Sequence, residues 1–349
     1  MLKRTTFRIL LWCAYTAAIQ PLFAQDSKPD GTPDDEVSRL MAKSYELFNL
    51  PYRADLEKAA QLIQNNEPLQ AIPILENIIK EDEKYYLAYY NLSIAFHQTD
   101  NIYEAFDAIV LALNINPSYA ESHYQLALIY EDLKKYKASI QSYQQAIALN
   151  QQLIEARINL GKVYSELGDV DNALQVWEEA LKLAPSTPQL FYNLGNGYRV
   201  KGDVHTAIRM YQQAINLNPD SPDYHNNLGI VYRTMGNYDA ALVQFNEAIR
   251  IDSKYPIGLY NLGDLLRNLK RYDQAIALLH QAIQNDPHHP YAYTSLGICY
   301  EMEGDLEQAI KYYDLSIKMA PDSDWRNEAE VRMRLAIEQF YGKGRKTEE

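Results

Sequence analysis

The chain has 349 residues, 46 of them acidic and 33 basic, and a formal net charge of -13. That balance works against the phosphate neutralisation on which nucleic-acid binding depends, so no nucleic-acid partner is expected. With only two cysteines among the 349 residues, a disulfide framework is excluded as well.

The first residues read as a targeting segment. Lys3, Arg4 and Arg8 precede an apolar run over 9–19, then Pro21 and Leu22-Phe23-Ala24. This order matches a secretory signal peptide over 1–24, cleaved after Ala24. The run is far shorter than the roughly 20 residues that a bilayer-spanning helix needs, so no stable membrane span is expected after cleavage. A mitochondrial transit peptide is the main rival, since 1–24 holds no acid, but the compact apolar block fits it poorly. The expected location is periplasmic or secreted. Trp12 is too bulky for a lipoprotein cleavage site before Cys13, and loss of the signal leaves Cys299 as the single thiol, expected to be buried and structural.

Residues 25–33 have no apolar anchor and predict a flexible leader. From Asp34, three consecutive acids suit a helix start, and Val37, Leu40, Met41, Tyr45 and Phe48 follow at helical spacing, which predicts a lead-in helix over 34–51. Next comes an irregular unit, 52–85, with Ala59, Leu62, Ala71 and Leu75 in place, Lys58 where Leu is wanted, and Pro73 inside its second helix.

From 86 onward one pattern returns every 34 residues. Ser93, Ala127, Gly161, Gly195, Gly229, Gly263 and Gly297 each follow a Leu, and an aromatic or Leu stands three residues later. Twelve residues after each comes a second small residue (Ala105, Ser139, Ala173, Ala207, Ala241, Ala275, Ala309), and four further on a large one (Ile109, Tyr143, Trp177, Tyr211, Phe245, Leu279, Tyr313). A fixed interval of this size means a solenoid, in which length counts repeats rather than domains. The units are 86–119, 120–153, 154–187, 188–221, 222–255, 256–289 and 290–323, most closed by Pro. Gly168, Gly202, Gly236 and Gly304 suit the end of each first helix, and Asp169, Asp203, Asn237 and Asp305 the cap of the second. From 324 to 341 the pattern becomes one amphipathic helix, with Trp325, Ala329, Met333, Ala336 and Phe340 on one side. This is read as a C-terminal cap, followed by a charged, disordered tail over 342–349.

The Leu-Gly, Tyr, Ala, large-residue and Pro pattern at these spacings resembles the tetratricopeptide repeat family over about four-fifths of the chain. The resemblance implies an all-α fold, a right-handed superhelix of eight stacked helix-turn-helix repeats over 52–323, the first degenerate. It also implies a concave face that binds protein or peptide partners.

At about 100° per residue, the position just before each repeat's Leu points away from the repeat core. It holds Asn91, Gln125, Asn159, Asn193, Asn227, Asn261 and Ser295. Amides donate and accept as a peptide unit does, so such a ladder suits the backbone of an extended chain. Peptide-binding members of the resembled family, notably the superhelix of O-linked N-acetylglucosamine transferase, carry Asn at this place. The bland alternative is that Asn belongs to the repeat's common pattern and is merely solvated. Beside the ladder, Tyr90, Tyr124, Tyr192 and Tyr260 are expected to be exposed, and Arg199, Arg233 and Arg267 to form a basic strip that attracts an acidic segment near 188–289. Glu121, Glu131, Asp132, Glu155 and Glu166 are expected to make the third and fourth repeats acidic inside.

No phosphate loop, nucleophile elbow or metal-ligand spacing occurs, and His280, Asp286, His288 and His289 read as a solvated turn. The expectation is a non-enzymatic scaffold without cofactors that receives an extended polypeptide along its concave face. Its rival is an assembly factor that docks folded partners with the groove empty. A chaperone-tail receptor of the carboxylate-clamp kind lacks its Lys and Asn pattern here, only Asn196 supplying the second Asn. Composition leaves the oligomeric state open.

Overall fold

In a computed structural model, residues 52–319 and 324–345 are described, and they contain seventeen helices and no strand. The expected signal, leader and lead-in helix lie outside these residues, as do 346–349 of the tail. In chain order the helices are α1 (Arg53–Gln64), α2 (Pro68–Glu81), α3 (Tyr86–Gln98), α4 (Ile102–Ile115), α5 (Ala120–Asp132) and α6 (Tyr136–Leu149). They continue with α7 (Ile154–Glu166), α8 (Val170–Leu183), α9 (Pro188–Val200), α10 (Val204–Leu217), α11 (Pro222–Thr234) and α12 (Tyr238–Ile251). The last are α13 (Pro256–Asn268), α14 (Tyr272–Asn285), α15 (Pro290–Glu303), α16 (Leu306–Met319) and α17 (Asp324–Arg345). Every first helix from α3 on begins at the first residue of its expected repeat. The chain divides inside α7 into two compact units, up to Val163 and from Tyr164 on.

The helices stack in order, each against the next, from α1 to α6 in the first unit and from α8 to α17 in the second. First helices of successive repeats also touch one another: α1 with α3 and α3 with α5 in the first unit, α9 with α11, α11 with α13 and α13 with α15 in the second. The first helices thus form one continuous layer in each unit. The cause is the small residue. A Cβ added at Gly195 would come within 2.6 Å of Tyr211 Cε1, one at Gly229 within 2.7 Å of Phe245, and one at Gly297 within 2.5 Å of Tyr313. The large residues opposite, Tyr143, Tyr211, Phe245, Leu279 and Tyr313, have no solvent exposure at all. A side chain in place of hydrogen would lever the two helices of a repeat apart.

The turn inside each repeat needs one residue in the left-handed region. Gly168, Gly202, Gly236 and Gly304 supply it with φ between +74° and +84°. In the other repeats Asn66, Asp100, Lys134 and Lys270 take the same conformation with a Cβ, at φ +65°, +60°, +55° and +60°. The expected caps form: Asp169, Asp203, Asn237 and Asp305 accept from the backbone N–H three residues on, at 3.0–3.3 Å. Pro188, Pro222, Pro256 and Pro290 open first helices, where the missing N–H costs nothing. In the degenerate repeat, α2 runs unbroken through Pro73, because the proline lies on the exposed side of the helix, where water can take the freed carbonyl. Lys58 also faces water.

The C-terminal helix departs from its expected form in two ways. It continues to Arg345, past the expected end at 341. Ala329 and Ala336 are buried against the last repeat, and Met333 packs on that cluster, yet Phe340 is 43% exposed. Val331, Leu335 and Tyr341 form part of a second apolar surface that faces solvent. The 3.6-residue period gave one buried side, but the helix outruns the repeat it covers, so Phe340 and Tyr341 at its end pack edge-on against each other, ring centroids 5.4 Å apart, and stay exposed.

Two outcomes follow from these turns and cores. Lys134→Gly and Lys270→Gly should each stabilise the chain by about 1 kcal/mol in denaturant titration, since the left-handed conformation penalises a Cβ by that order. No gain would mean that local contacts already offset the cost. Burial raises the phenol pKa of Tyr143, Tyr313 and Tyr211, the last to about 12 from 10.0. A folded pKa above the unfolded one leaves stability intact below pH 10 and removes it as pH climbs toward 12. Phenolate absorbance from these tyrosines should therefore rise together with loss of helical dichroism in that window.

Candidate functional site

The candidate site is the layer of first helices, where one residue type recurs at one place in each repeat. In the first unit, Asn91 Nδ2 donates to the Leu87 carbonyl of its own helix at 2.8 Å. Gln125 Nε2 donates to His97 Nδ1 at 3.1 Å, and His97 Nε2–H donates to Asp132. Asn159 Nδ2 donates to the Tyr124 hydroxyl of the repeat before it, at 3.0 Å, and its Oδ1 accepts from Lys162.

The second unit repeats the scheme. Asn227 Nδ2 donates to the Tyr192 hydroxyl at 3.1 Å and to the Asp223 carbonyl at 2.9 Å. Asn261 Nδ2 donates to Asn226 Oδ1 at 2.8 Å, and Ser295 Oγ to Asp264 Oδ1 at 3.3 Å. Asn193 is the exception: its Oδ1 accepts from Gln189, while its buried Nδ2 meets no acceptor. Three of these bonds, from Asn159, Asn227 and Asn261, join residues 35 apart, one repeat plus one residue. The ladder ties neighbouring repeats together.

That corrects both sequence readings of these positions, as an open ladder and as merely solvated amides. Asn91, Gln125, Asn193, Asn261 and Ser295 are each at most 6% exposed. They point away from their own repeat's core, and the bonds of Gln125, Asn261 and Ser295 run to the first helix of the preceding repeat. The amide is nevertheless used on one side only at three positions. Asn91, Asn227 and Asn261 spend Nδ2 inside the fold, and among the described residues no donor reaches their Oδ1, which is not shut off from water.

The four flanking tyrosines are not exposed. Tyr90 is buried edge-on against Tyr119, with ring centroids 5.3 Å apart, and its hydroxyl pKa is driven up by burial. Tyr124, Tyr192 and Tyr260 are half-buried. Tyr192 lies 5.0 Å from Tyr224, Tyr260 4.6 Å from His289, and Tyr124 5.9 Å from Tyr143. A large ring beside a layer of close-packed helices covers its neighbour instead of reaching for solvent.

The basic strip is corrected as well. Asp264, 13% exposed, stands between two of the three guanidinium groups: Arg267 Nη2 at 2.6 Å and Arg233 Nη1 at 3.2 Å. It thus offsets much of the charge that Arg233 and Arg267 bring. Arg199 has no carboxylate partner among the described residues, and its buried Nε has no acceptor. On the acidic side, Glu131 takes the Tyr143 hydroxyl and Asp132 takes His97, while Glu121 and Glu155 are half-exposed and Glu166 exposed.

Sequence reasoning missed Asp264 and the partners of the core tyrosines. Tyr143 donates to Glu131, Tyr313 to Glu301, and Tyr211 to Asn196 at 2.7 Å. The signal was present: a fully buried phenol needs an acceptor, and it comes from the first helix of the same repeat, twelve places earlier for Tyr143 and Tyr313 and fifteen for Tyr211. Where that core residue is Phe245 or Leu279, no hydroxyl occupies the spot, and the arginines twelve places earlier turn to Asp264. Cys299 is fully buried and its thiol pushed up to about 12 by burial, as a structural cysteine should be. No described helix is long and apolar enough to cross a membrane.

Comparison with known proteins fits this architecture. A family model described as tetratricopeptide repeat matches residues 260–324, and one described as TPR repeat matches 129–168, 162–198, 195–236 and 231–270. A search of curated proteins returned no match. Among solved structures, a chain of the APC/C hetero-tetramer Cut9–Hcn1 is similar with a TM-score of 0.59 at 20% identity, over 86% of this chain and 59% of that one. This chain therefore spans well under two thirds of that neighbour. A tetratricopeptide repeat protein from Parabacteroides merdae gives 0.58 at 18% identity, over 72% and 98%. Pseudomonas aeruginosa pilF gives 0.53 at 21% identity, over 64% and 98%. At these identities the solved structures show the fold alone. With repeat matches over more than half of its length and the helix pairs to go with them, the chain belongs to the tetratricopeptide repeat family, whose members are generally non-catalytic scaffolds for protein partners.

Proposed function

We propose that the chain is an exported binding scaffold whose first-helix layer receives an extended polypeptide segment. One observation carries this reading. In consecutive repeats of the second unit, Asn227 and Asn261 hold their amides fixed by Nδ2 bonds within the fold and leave Oδ1 open. A fixed carbonyl-type oxygen is the natural partner for a backbone N–H, and its orientation is set before the ligand arrives, so little side-chain freedom is lost on binding. Helix axes about 8–10 Å apart set rungs on the order of 10 Å apart, and an extended chain rising about 3.3 Å per residue would meet one rung every third residue.

A second reading rests on α17. Its solvent-facing Val331, Leu335, Phe340 and Tyr341 suit the docking of a folded partner, as an assembly factor would require. The two readings separate by mutation. Peptides of unrelated sequence, selected by display on the parent chain, should lose about fivefold in affinity to Asn227→Ala and to Asn261→Ala alike. That is the order of one neutral hydrogen bond of about 1 kcal/mol. Calorimetry would check it, with helical content shown unchanged. Unaltered affinity for both variants would move the function to the outer surfaces.

Export rests on Lys3, Arg4 and Arg8 ahead of the 9–19 apolar run and Ala24. Intact-mass measurement on protein from its native host should place the mature N-terminus at or within a few residues of Gln25. A population beginning at Met1 would remove the periplasmic or secreted assignment.

A further inference from the structure

Arg199, Arg233 and Arg267 occupy the same place in three successive repeats, yet their surroundings differ in one respect. The carboxylate that serves Arg267 lies three residues before it on its own helix, and the one that serves Arg233 lies 31 residues after it on the next first helix; both are Asp264. The corresponding positions around Arg199 are Asn196 and Ile230. Asn196 Oδ1 is already taken by the Tyr211 hydroxyl. Asp223, which faces Tyr192 from α11, takes the Tyr255 hydroxyl at 2.6 Å. Arg199 therefore sits half-buried beside Tyr192 and Tyr211 with its Nε shut off from water and unbonded. A second buried donor without an acceptor, Asn193 Nδ2, lies on the same helix. Buried donors are almost always satisfied, and among the described residues no acceptor meets either of these two.

Asp264 shows what such a place accepts. One carboxylate there takes charge-assisted bonds from two guanidinium groups and a hydroxyl hydrogen bond from Ser295. We propose that the face of α9 around Arg199 is a seat for a carboxylate of the bound segment, an Asp or Glu side chain, which completes in trans the arrangement Asp264 completes in cis. The inference rests on the first-helix layer being the polypeptide site. It narrows the acidic preference from a strip of three arginines to one.

The test uses a random twelve-residue peptide display library on the chain from Gln25 onward, on Arg199→Gln, and on Arg250→Gln. The last removes an equal charge from the second-helix surface, where Arg250 pairs with Glu247. Peptides recovered on the parent and on Arg250→Gln should share one acidic position. Replacing that acid by its amide in a synthetic peptide should weaken parent binding about tenfold, the order expected for a lost charge-assisted pair, and leave Arg199→Gln binding unchanged. Recovered peptides without a shared acid, or an acidic preference that persists in Arg199→Gln, would overturn the seat and leave the polypeptide-binding reading standing. If the parent recovers no peptide at all, both fall. Circular dichroism of each variant excludes loss of fold as the cause.

Discussion

Everything in this solenoid depends on one contact, that of a residue with almost no side chain on a first helix against a large, fully buried one on the second. Gly195 against Tyr211, Gly229 against Phe245 and Gly297 against Tyr313 fix how closely the helices of a repeat approach. Close packing allows no compromise there, because interiors are as dense as crystals. The turn glycines, the caps and the prolines set where helices begin and end. The small-to-large contact sets how far apart they lie, and therefore whether first helices from successive repeats can touch. Only when they touch do the amides one residue before each Leu come within reach of the neighbouring repeat.

A polar consequence follows from that apolar choice. Filling the core position with Tyr instead of Phe or Leu brings a hydroxyl into a place without water, and the repeat must supply an acceptor from its first helix. Glu131 and Glu301 do so directly, and Asn196 does so for Tyr211. The electrostatics of the first-helix face are thus partly set from behind, by which residue the core uses. Repeats with Tyr143 and Tyr313 spend a carboxylate inward, while those with Phe245 and Leu279 free their arginines to share Asp264.

The fold was legible because periodicity reports burial. Seven repeats, their turns and their caps stand where a 34-residue interval places them, and even the degenerate first repeat kept Ala59, Ala71 and Leu75 at zero exposure. The site was less legible. Helical phase told which side of α13 Asn261 occupies, but not that α11 lies against that side and buries it to 5% exposure. Nor could phase say that Asp264 would be shared between repeats, since a pairing 31 residues apart is a property of the stack. Phe340 failed for a similar reason: an apolar period predicts a buried face only as far as there is a surface to bury it against.

The fixed amides of Asn227 and Asn261 carry a consequence for the vocabulary of a bound chain. With Nδ2 committed inside the fold, what each rung offers outward is an acceptor. Under the proposed mode, a segment is therefore read at these two rungs by its N–H groups, and its side chains there are free, with one residue type set apart. Proline has no N–H to give. A polypeptide with proline at the spacing of the rungs would slide past this face unheld, so proline content, more than hydrophobicity, would decide which stretches of a partner can lodge there.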